Sequence, residues 1–188
     1  MKRYAIIFVA GAVFPIVYSL VGRKYPIPDG SEMVAIAENL VREGTFGNPF
    51  IPAMTGVTAA VPPLYPFYLA GALKFFGPGY GRLILVLATA VIYGIHACLL
   101  VRLARLFYGD ETPGFYAAAL SILLPAIRFM SAWDAVYTAS ALMLFCLFST
   151  WALADVNRTP WKAALPGVFA GVLMLLNPLS VLVFAPWI

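Results

Sequence analysis

The chain has 188 residues, of which 63% are hydrophobic and only 11% are charged, and its mean hydropathy is +0.91. Soluble domains carry about 25% charged residues, so this chain has too few charges to cover a water-soluble globule of its size. The net charge of +4 is modest. The basic residues form no stripe with interleaved aromatic residues, which argues against nucleic acid as a partner. The composition predicts an integral membrane protein.

Five apolar stretches meet or approach the roughly 20 residues that a helix needs to cross a bilayer. They cover residues 4–22, 83–101, 115–132, 135–154 and 163–188. The expected fold is therefore an all-α membrane protein with polytopic transmembrane helices and a long loop, residues 23–82, after the first span. The two cysteines lie inside apolar runs without metal-ligand spacing, so no metal site is expected. The last stretch ends at Ile188 without a polar tail, as expected of the N-terminal portion of a longer protein.

The orientation of the spans is predicted from the basic residues near their ends. One side of the membrane would carry Lys2, Arg3, Arg102, Arg105, Arg158 and Lys162. The other side would carry Arg23, Lys24, Arg42, Lys74, Arg82 and Arg128. The two counts are equal, but most of the second group belongs to the long loop, and long loops cross the membrane largely regardless of charge. The short loops favour a multi-pass protein of the cell membrane with a cytoplasmic N-terminus and an outer loop at 23–82.

Two short helices are predicted in this outer loop. Residues 30–43 show helical periodicity, with Gly44 as the stop. The apolar face would hold Met33, Ile36, Ala37, Leu40 and Val41, and the polar face Glu32, Glu38, Asn39, Arg42 and Glu43. Residues 64–76 form a second apolar segment, between Pro62-Pro63 and Gly77-Pro78-Gly79. This segment is too short to span a bilayer, so both helices are expected at the interface, with residues 45–61 as a loop between them.

Asp29 opens the first of these helices, and two interpretations of it stay open. Asp29-Gly-Ser-Glu32 is a serviceable capping box, in which a carboxylate satisfies free amides at the helix start. The same carboxylate, at the membrane interface, could serve as the general base for an acceptor hydroxyl. Glu32 is the reserve for that role. Capping and catalysis are compatible.

Other polar residues near the spans have structural and functional interpretations. Asp134, at the outer end of the fourth span, is a helix cap or a second acidic group on the side of Asp29. Lys74, Arg82 and Arg128, taken singly, are expected to contact lipid headgroups, and each could also bind the phosphate of a substrate. His96 lies inside the second span, where a neutral, packed histidine is expected. The small-residue pair Gly167 and Gly171 predicts close helix packing.

The order of these elements resembles the family 39 glycosyltransferases, membrane enzymes of the GT-C fold that include protein O-mannosyltransferases and the lipid A aminoarabinose transferase. The first outer loop resembles theirs in Asp29-Gly-Ser-Glu-Met-Val-Ala-Ile-Ala and Gly44-Thr-Phe-Gly-Asn-Pro-Phe. Pro62-Pro-Leu-Tyr-Pro66, Arg105-Leu-Phe-Tyr-Gly109, Trp133-Asp134 and Leu176-Asn-Pro178 continue the likeness. It covers nearly the whole chain, which would be the N-terminal part, 1–188, of one such membrane domain.

The resemblance implies transfer of a sugar from a polyprenyl-phosphate donor to an acceptor hydroxyl on the outer face of the membrane, with inversion. The acceptor would be a lipid, a protein or a glycan. Asp29 would be the catalytic base, and Asp134 would position the acceptor or a divalent cation, the one cofactor left open. Substrate-binding candidates are Lys74, Arg82, Arg128 and Tyr65.

Two other classes of function stay open for the sequence. One is a non-catalytic scaffold or an inactive, truncated paralogue, in which Asp29 is only a helix cap. The other is a transport component that binds the lipid-linked sugar without reacting it. Such a component would be expected to carry further ionisable residues inside the spans, where only His96 is found.

Overall fold

The computed structural model describes residues 2–21, 32–49, 55–58, 61–123, 143–151 and 160–178. Within these residues the protein is mostly helical, as predicted, and its strand-like pairing is an isolated antiparallel bridge between Gly47 and Val57. The described helices are α1 (Lys2–Val21), α2 (Glu32–Glu43), α3 (Leu64–Tyr108), α4 (Thr112–Leu123), α5 (residues 143–151) and α6 (Pro160–Leu176).

Helix α3 is bent sharply at Gly77, which has φ 72° and ψ 169° and is followed by Pro78. The left-handed φ suits glycine, and proline cannot continue the hydrogen-bond pattern of the preceding turn. A Cβ placed on Gly81 would lie 2.9 Å from the carbonyl oxygen of Ala72, although nine residues of straight helix span about 13.5 Å. The bend therefore folds residues 64–76 (α3a) back against residues 78–108 (α3b). The predicted break at Gly77-Pro78-Gly79 is confirmed.

The segment Leu83–Tyr108 of α3b has 26 residues and is long and apolar enough to cross a membrane. It continues beyond residue 101, the predicted end of the second span, because the next helix-ending signal is Gly109. That glycine has φ 72° and ψ 0°, and its amide donates to the Arg105 carbonyl at 3.0 Å. This is a glycine C-cap.

Helices α1 and α4 pack against α3b where glycines allow backbones to approach closely. A Cβ on Gly11 of α1 would lie 3.0 Å from the Tyr93 carbonyl oxygen, and one on Gly94 would lie 2.7 Å from the Phe8 ring. A Cβ on Gly114 of α4 would lie 2.9 Å from the Ala104 Cβ. Such small-residue contacts are typical of helix packing in membranes.

Exposed aromatic side chains lie at both ends of the Leu83–Tyr108 segment. Near Gly77 they are Phe75, Phe76 and Tyr80, with Phe67 and Tyr68 earlier in α3a, and near Gly109 they are Phe107, Tyr108 and Tyr116. Between these two groups the exposed large side chains of α3b are aliphatic, namely Leu83, Leu87 and Val91. Aromatic residues at both ends of an aliphatic surface are typical of helices that end at membrane–water interfaces.

Several predicted features fall outside the described residues. Asp29, Arg128 and Asp134 are among them, as is the side chain of Arg82. The predicted spans 115–132, 135–154 and 163–188 are described only in part. Within the last, helix α6 ends at Leu176, because Pro178 disfavours helical geometry at the residue before it.

Candidate functional site

Helix α2 is fixed on α3 by a buried apolar cluster at the Gly77 end of α3b, which we call the α2–α3 cluster. Its buried members are Val34, Ala37, Tyr65, Leu69, Ala70, Ala72, Leu85 and Leu176. Met33 and Leu40 of α2 pack against it, so most of the predicted apolar face is buried, whereas Val41 of that face is 39% exposed. Leu176 brings the end of α6, and with it the Asn177-Pro178 pair, to the same place.

The two described substrate-binding candidates lie in different surroundings. The side chain of Tyr65 is 2% exposed and belongs to the α2–α3 cluster. Lys74, about two and a half turns further along α3a, is exposed, as are its sequence neighbours Phe75 and Phe76. The structure therefore places Lys74 on an open aromatic surface and Tyr65 in the core beneath it.

Glu32 is exposed in the first turn of α2. A carboxylate at this position interacts favourably with the positive end of the helix dipole. The residue belongs to the helix that the α2–α3 cluster holds in place. Asp29 precedes it by three residues, outside the described part of the chain, so its roles as cap and as base stay predictions.

Asn39 joins α2 to the loop that follows it. Its side-chain amide donates to the carbonyl oxygens of Gly47 at 2.9 Å and Asn48 at 3.4 Å, and it accepts from Arg42 Nη2 at 2.9 Å. Asn39 is only 4% exposed, so its predicted place on the solvent face of α2 is wrong. The loop turns back over this side of the helix and presents carbonyl oxygens that the amide can satisfy.

The loop itself is closed by hydrogen bonds on both sides of the Gly47–Val57 bridge. The Asn48 amide donates to the Gly56 carbonyl at 2.9 Å, and the Gly56 amide donates to Asn48 Oδ1 at 2.8 Å. Asn48 has a φ of 52°, a left-handed conformation that asparagine tolerates better than most residues. We call the described residues of this loop, 44–49 and 55–58, the Asn48 loop.

The Asn48 loop also contacts α3a, because the rings of Phe46 and Phe67 lie 5.6 Å apart. The loop is thus tied to α2 through Asn39 and to α3a through Phe46. Helix α2, the Asn48 loop and α3a therefore form one connected unit at the Gly77 end of α3b.

His96 is buried in the middle of α3b, and its Nδ1 lies 3.5 Å from the Sγ of Cys146 in α5. The expectation of a packed histidine with a hydrogen-bonding partner is confirmed. Among the described residues no group of three or more histidine, cysteine, aspartate or glutamate side chains is arranged to hold a metal ion.

The opposite end of α3b, near Gly109, carries a polar junction that the sequence did not indicate. Tyr4 Oη and Arg105 Nη1 both donate to Oε1 of Glu111, each at 3.1 Å. The rings of Tyr4 and Phe115 meet edge to face at 6.3 Å. These contacts tie the start of α1 to the end of α3 and the start of α4, and we call them the Glu111 junction. They place the basic residues Arg3 and Arg105 at one end of the bundle, as the orientation prediction requires.

Asp110 caps α4. Its Oδ1 accepts from the Thr112 amide at 3.1 Å and from the Thr112 hydroxyl at 3.0 Å. Both bonds favour the ionised carboxylate, and the backbone bond, as the larger effect, lowers the pKa of Asp110 below its ordinary 3.8. The carboxylate is therefore charged at neutral pH.

Two cavities adjoin one another at the Glu111 junction and share Arg3, Thr112 and Phe115. The first, of about 310 Å³, is mainly polar and is also lined by Arg105, Gly109, Asp110 and Glu111. The second, of about 420 Å³, is mainly apolar and runs between α1 and α4, where Ile6, Ile7 and Tyr116 complete its lining.

The sequence analysis did not predict the Glu111 junction, because its residues come from distant parts of the chain. Tyr4 and Glu111 are 107 positions apart, and no local pattern connects them. The one signal available was Asp110-Glu-Thr-Pro113, since an aspartate shortly before a proline marks a helix start.

No family model matches the sequence, and neither a curated protein nor a solved structure matches the chain. The resemblance to the family 39 glycosyltransferases thus stays a prediction. The function has to be argued from the residues and the geometry.

Proposed function

We propose that the chain is the N-terminal part of a polytopic, membrane-embedded glycosyltransferase that moves a sugar from a polyprenyl-phosphate donor to an acceptor hydroxyl outside the cytoplasm. One observation carries the proposal. Helix α2, which begins three residues after Asp29, is fixed by the α2–α3 cluster at one end of a helix long enough to cross a membrane. In the proposed placement, a lipid-linked substrate would present its phosphate at this end of the helix.

The exposed surface of α3a suits such a donor. Phe75, next to Lys74 in the sequence, is 80% exposed, and Tyr80, just after the bend, is 75% exposed. Aromatic rings favour the interfacial layer of a bilayer, and an isoprenoid chain would find apolar contact there. The ammonium group of Lys74 would lie at headgroup level, where it can attract the phosphate of the donor.

In the proposed reaction, Asp29 accepts the proton of the acceptor hydroxyl while the hydroxyl oxygen attacks the anomeric carbon of the sugar. The bond from that carbon to the phosphate oxygen breaks, and polyprenyl phosphate leaves with the bonding electrons. Lys74, Arg82 and Arg128 are the candidates to stabilise the negative charge on the leaving phosphate. Asp134 would position the acceptor or a cation, and Glu32 is the reserve base.

The substitution Asp29→Asn tests the proposal, because asparagine caps a helix as well as aspartate does. We expect the variant to fold and to lose sugar transfer by a factor of about 10²–10⁴, the usual contribution of a general base. The measurement is transfer of labelled sugar from a polyprenyl-phosphate donor in proteoliposomes that contain the protein. Glu43→Gln, at the other end of α2, is the matched control and should keep full activity.

The other outcomes separate the rival functions. Loss of transfer in Glu32→Gln, with activity kept in Asp29→Asn, would assign the base to Glu32. Donor binding without any transfer by the parent protein would identify a binding or transport component. Absence of both binding and transfer would leave a scaffold and refute the enzymatic proposal.

A further inference from the structure

The two cavities at the Glu111 junction have the shape and polarity of a site for one amphiphilic molecule. The polar cavity of about 310 Å³ opens beside the apolar cavity of about 420 Å³. Arg3, Thr112 and Phe115 line both of them, so Arg3 is the charged residue where the two meet. A molecule that filled both would place an apolar chain between α1 and α4 and a charged head beside the start of α4.

The charges in the polar cavity are only partly neutralised by one another. The contacted carboxylate oxygen of Glu111 is shared by Arg105 and Tyr4, so this acid and Arg105 form a pair. Arg3 makes no ion pair with any acidic residue in the described part of the chain. Asp110 uses one carboxylate oxygen, Oδ1, for its two bonds to Thr112 and pairs with no described cation. Among the described residues, one positive and one negative side chain of this cavity thus have no ionic partner of their own.

We propose that a phospholipid with a phosphoethanolamine headgroup binds here, with an acyl chain in the groove between α1 and α4. The order of its parts matches the order of the site. The chain lies along Ile6, Ile7 and Tyr116, the phosphate pairs with Arg3 where the cavities meet, and the terminal ammonium pairs with Asp110. The proposal rests on the membrane placement of the chain and not on sugar transfer, so it stands or falls separately from the catalytic proposal.

Charge complementarity selects this headgroup over an anionic one. A lipid with a phosphate and no amine would pair with Arg3 but would leave the Asp110 carboxylate facing a second negative charge. A lipid with both charges satisfies both side chains in a single cavity.

The first test compares lipids on the unmodified protein in detergent. Dioleoyl phosphatidylethanolamine and dioleoyl phosphatidylglycerol are titrated separately, and bound lipid is counted by native mass spectrometry. We expect the ethanolamine lipid to bind about tenfold more tightly than the glycerol lipid. This factor corresponds to one additional charge-assisted contact, the one between its ammonium group and Asp110. Equal binding of the two lipids, or preference for the glycerol lipid, would overturn the proposal without any variant.

The second test removes the charges one at a time. Arg3→Gln should weaken binding of the ethanolamine lipid about tenfold, whereas Arg102→Gln removes an exposed arginine outside both cavities and should leave it unchanged. Asp110→Asn keeps the cap of α4 and removes the charge, so it should abolish the preference between the two lipids. If Arg3→Gln binds the ethanolamine lipid as tightly as Arg102→Gln does, the phosphate does not bind at Arg3 and the proposed site is refuted.

A third measurement distinguishes a lipid from its soluble headgroup. Glycerophosphoethanolamine carries the same phosphate and amine without acyl chains, and it should not displace the bound lipid at equal concentration, because it cannot use the apolar groove. Displacement at equal concentration would show that the groove contributes nothing and would refute a lipid as the occupant.

Discussion

At the scale of single residues, Asn39 shows how a side chain on the polar face of a helix can be buried all the same. Periodicity assigned it to the polar face of α2, next to Glu38. The Asn48 loop folds over that position, and the side-chain amide replaces water as the donor to two backbone carbonyls. A helical pattern reports which positions share a face, but it contains no information about a loop that later covers that face.

We expect Asn39→Ala to destabilise the attachment of the Asn48 loop to α2 by about 1–3 kcal/mol, because the Gly47 carbonyl would be left buried without its donor. The measurement is amide hydrogen exchange of the segment 44–58 together with thermal unfolding in detergent. Glu38→Ala, at the neighbouring exposed position, is the control and should change neither. Unchanged protection in Asn39→Ala would mean that the amide does not fasten the loop.

At the scale of elements, the close approaches between described helices occur at glycines that the sequence did not single out. Gly167 and Gly171 of α6 have no described atom within 4 Å of an added Cβ, so the close packing expected of this pair stays a prediction. Gly11, Gly94 and Gly114 make the close approaches among the described residues. Of these, Gly11 and Gly94 come from different helices, so their pairing depends on tertiary structure and not on spacing within one segment.

The substitution Gly114→Leu should separate α4 from α3b, since an added Cβ would already clash with Ala104. Overpacking of this kind costs about 1–3 kcal/mol, and it should appear as a lower thermal midpoint in detergent. Gly71→Leu is the control. A Cβ at this position would meet no described atom within 4 Å, and the change from glycine to leucine raises helix propensity by the same amount as it does at Gly114. An equal midpoint in the two variants would contradict the packing at Gly114.

The elements with strong local signals were predictable. The apolar periodicity of α2 and the proline and glycine pairs around α3a specify those helices through local backbone geometry, and the structure confirms both. The end of α3 was placed too early, since Arg102 and Arg105 are compatible with a helix and only Gly109 ends it. The Asn48 loop and the Glu111 junction required contacts between distant residues, so local sequence could not reveal them.

At the scale of the whole molecule, the two aromatic groups mark the ends of one apolar surface. The 26 residues of Leu83–Tyr108 extend over about 39 Å at about 1.5 Å per residue. That length covers a hydrocarbon core of roughly 30 Å and reaches into the headgroup layers on both sides. The molecule thus has one end with Lys74 and α2, and another end with Arg3, Arg102 and the Glu111 junction.

Cysteine labelling of intact cells tests this placement. We expect Lys74→Cys to react with a membrane-impermeant maleimide from outside, and Arg102→Cys to react only after permeabilisation. The unsubstituted protein is the control. Its own Cys98 and Cys146 lie within apolar helices and should not react with the maleimide. Labelling of both variants from the outside would mean that α3b does not cross the membrane.

The bend at Gly77 has a consequence for the proposed membrane topology. A continuous helix of 45 residues would have enough length for two passages through a bilayer, and a second passage would change the side of the membrane on which every later segment ends. Because α3a, about 20 Å long at about 1.5 Å per residue, folds back against the start of α3b, the whole of α3 would contribute a single passage. In the proposed multi-pass protein, the compartment reached by each later loop would therefore depend on one glycine and the proline after it.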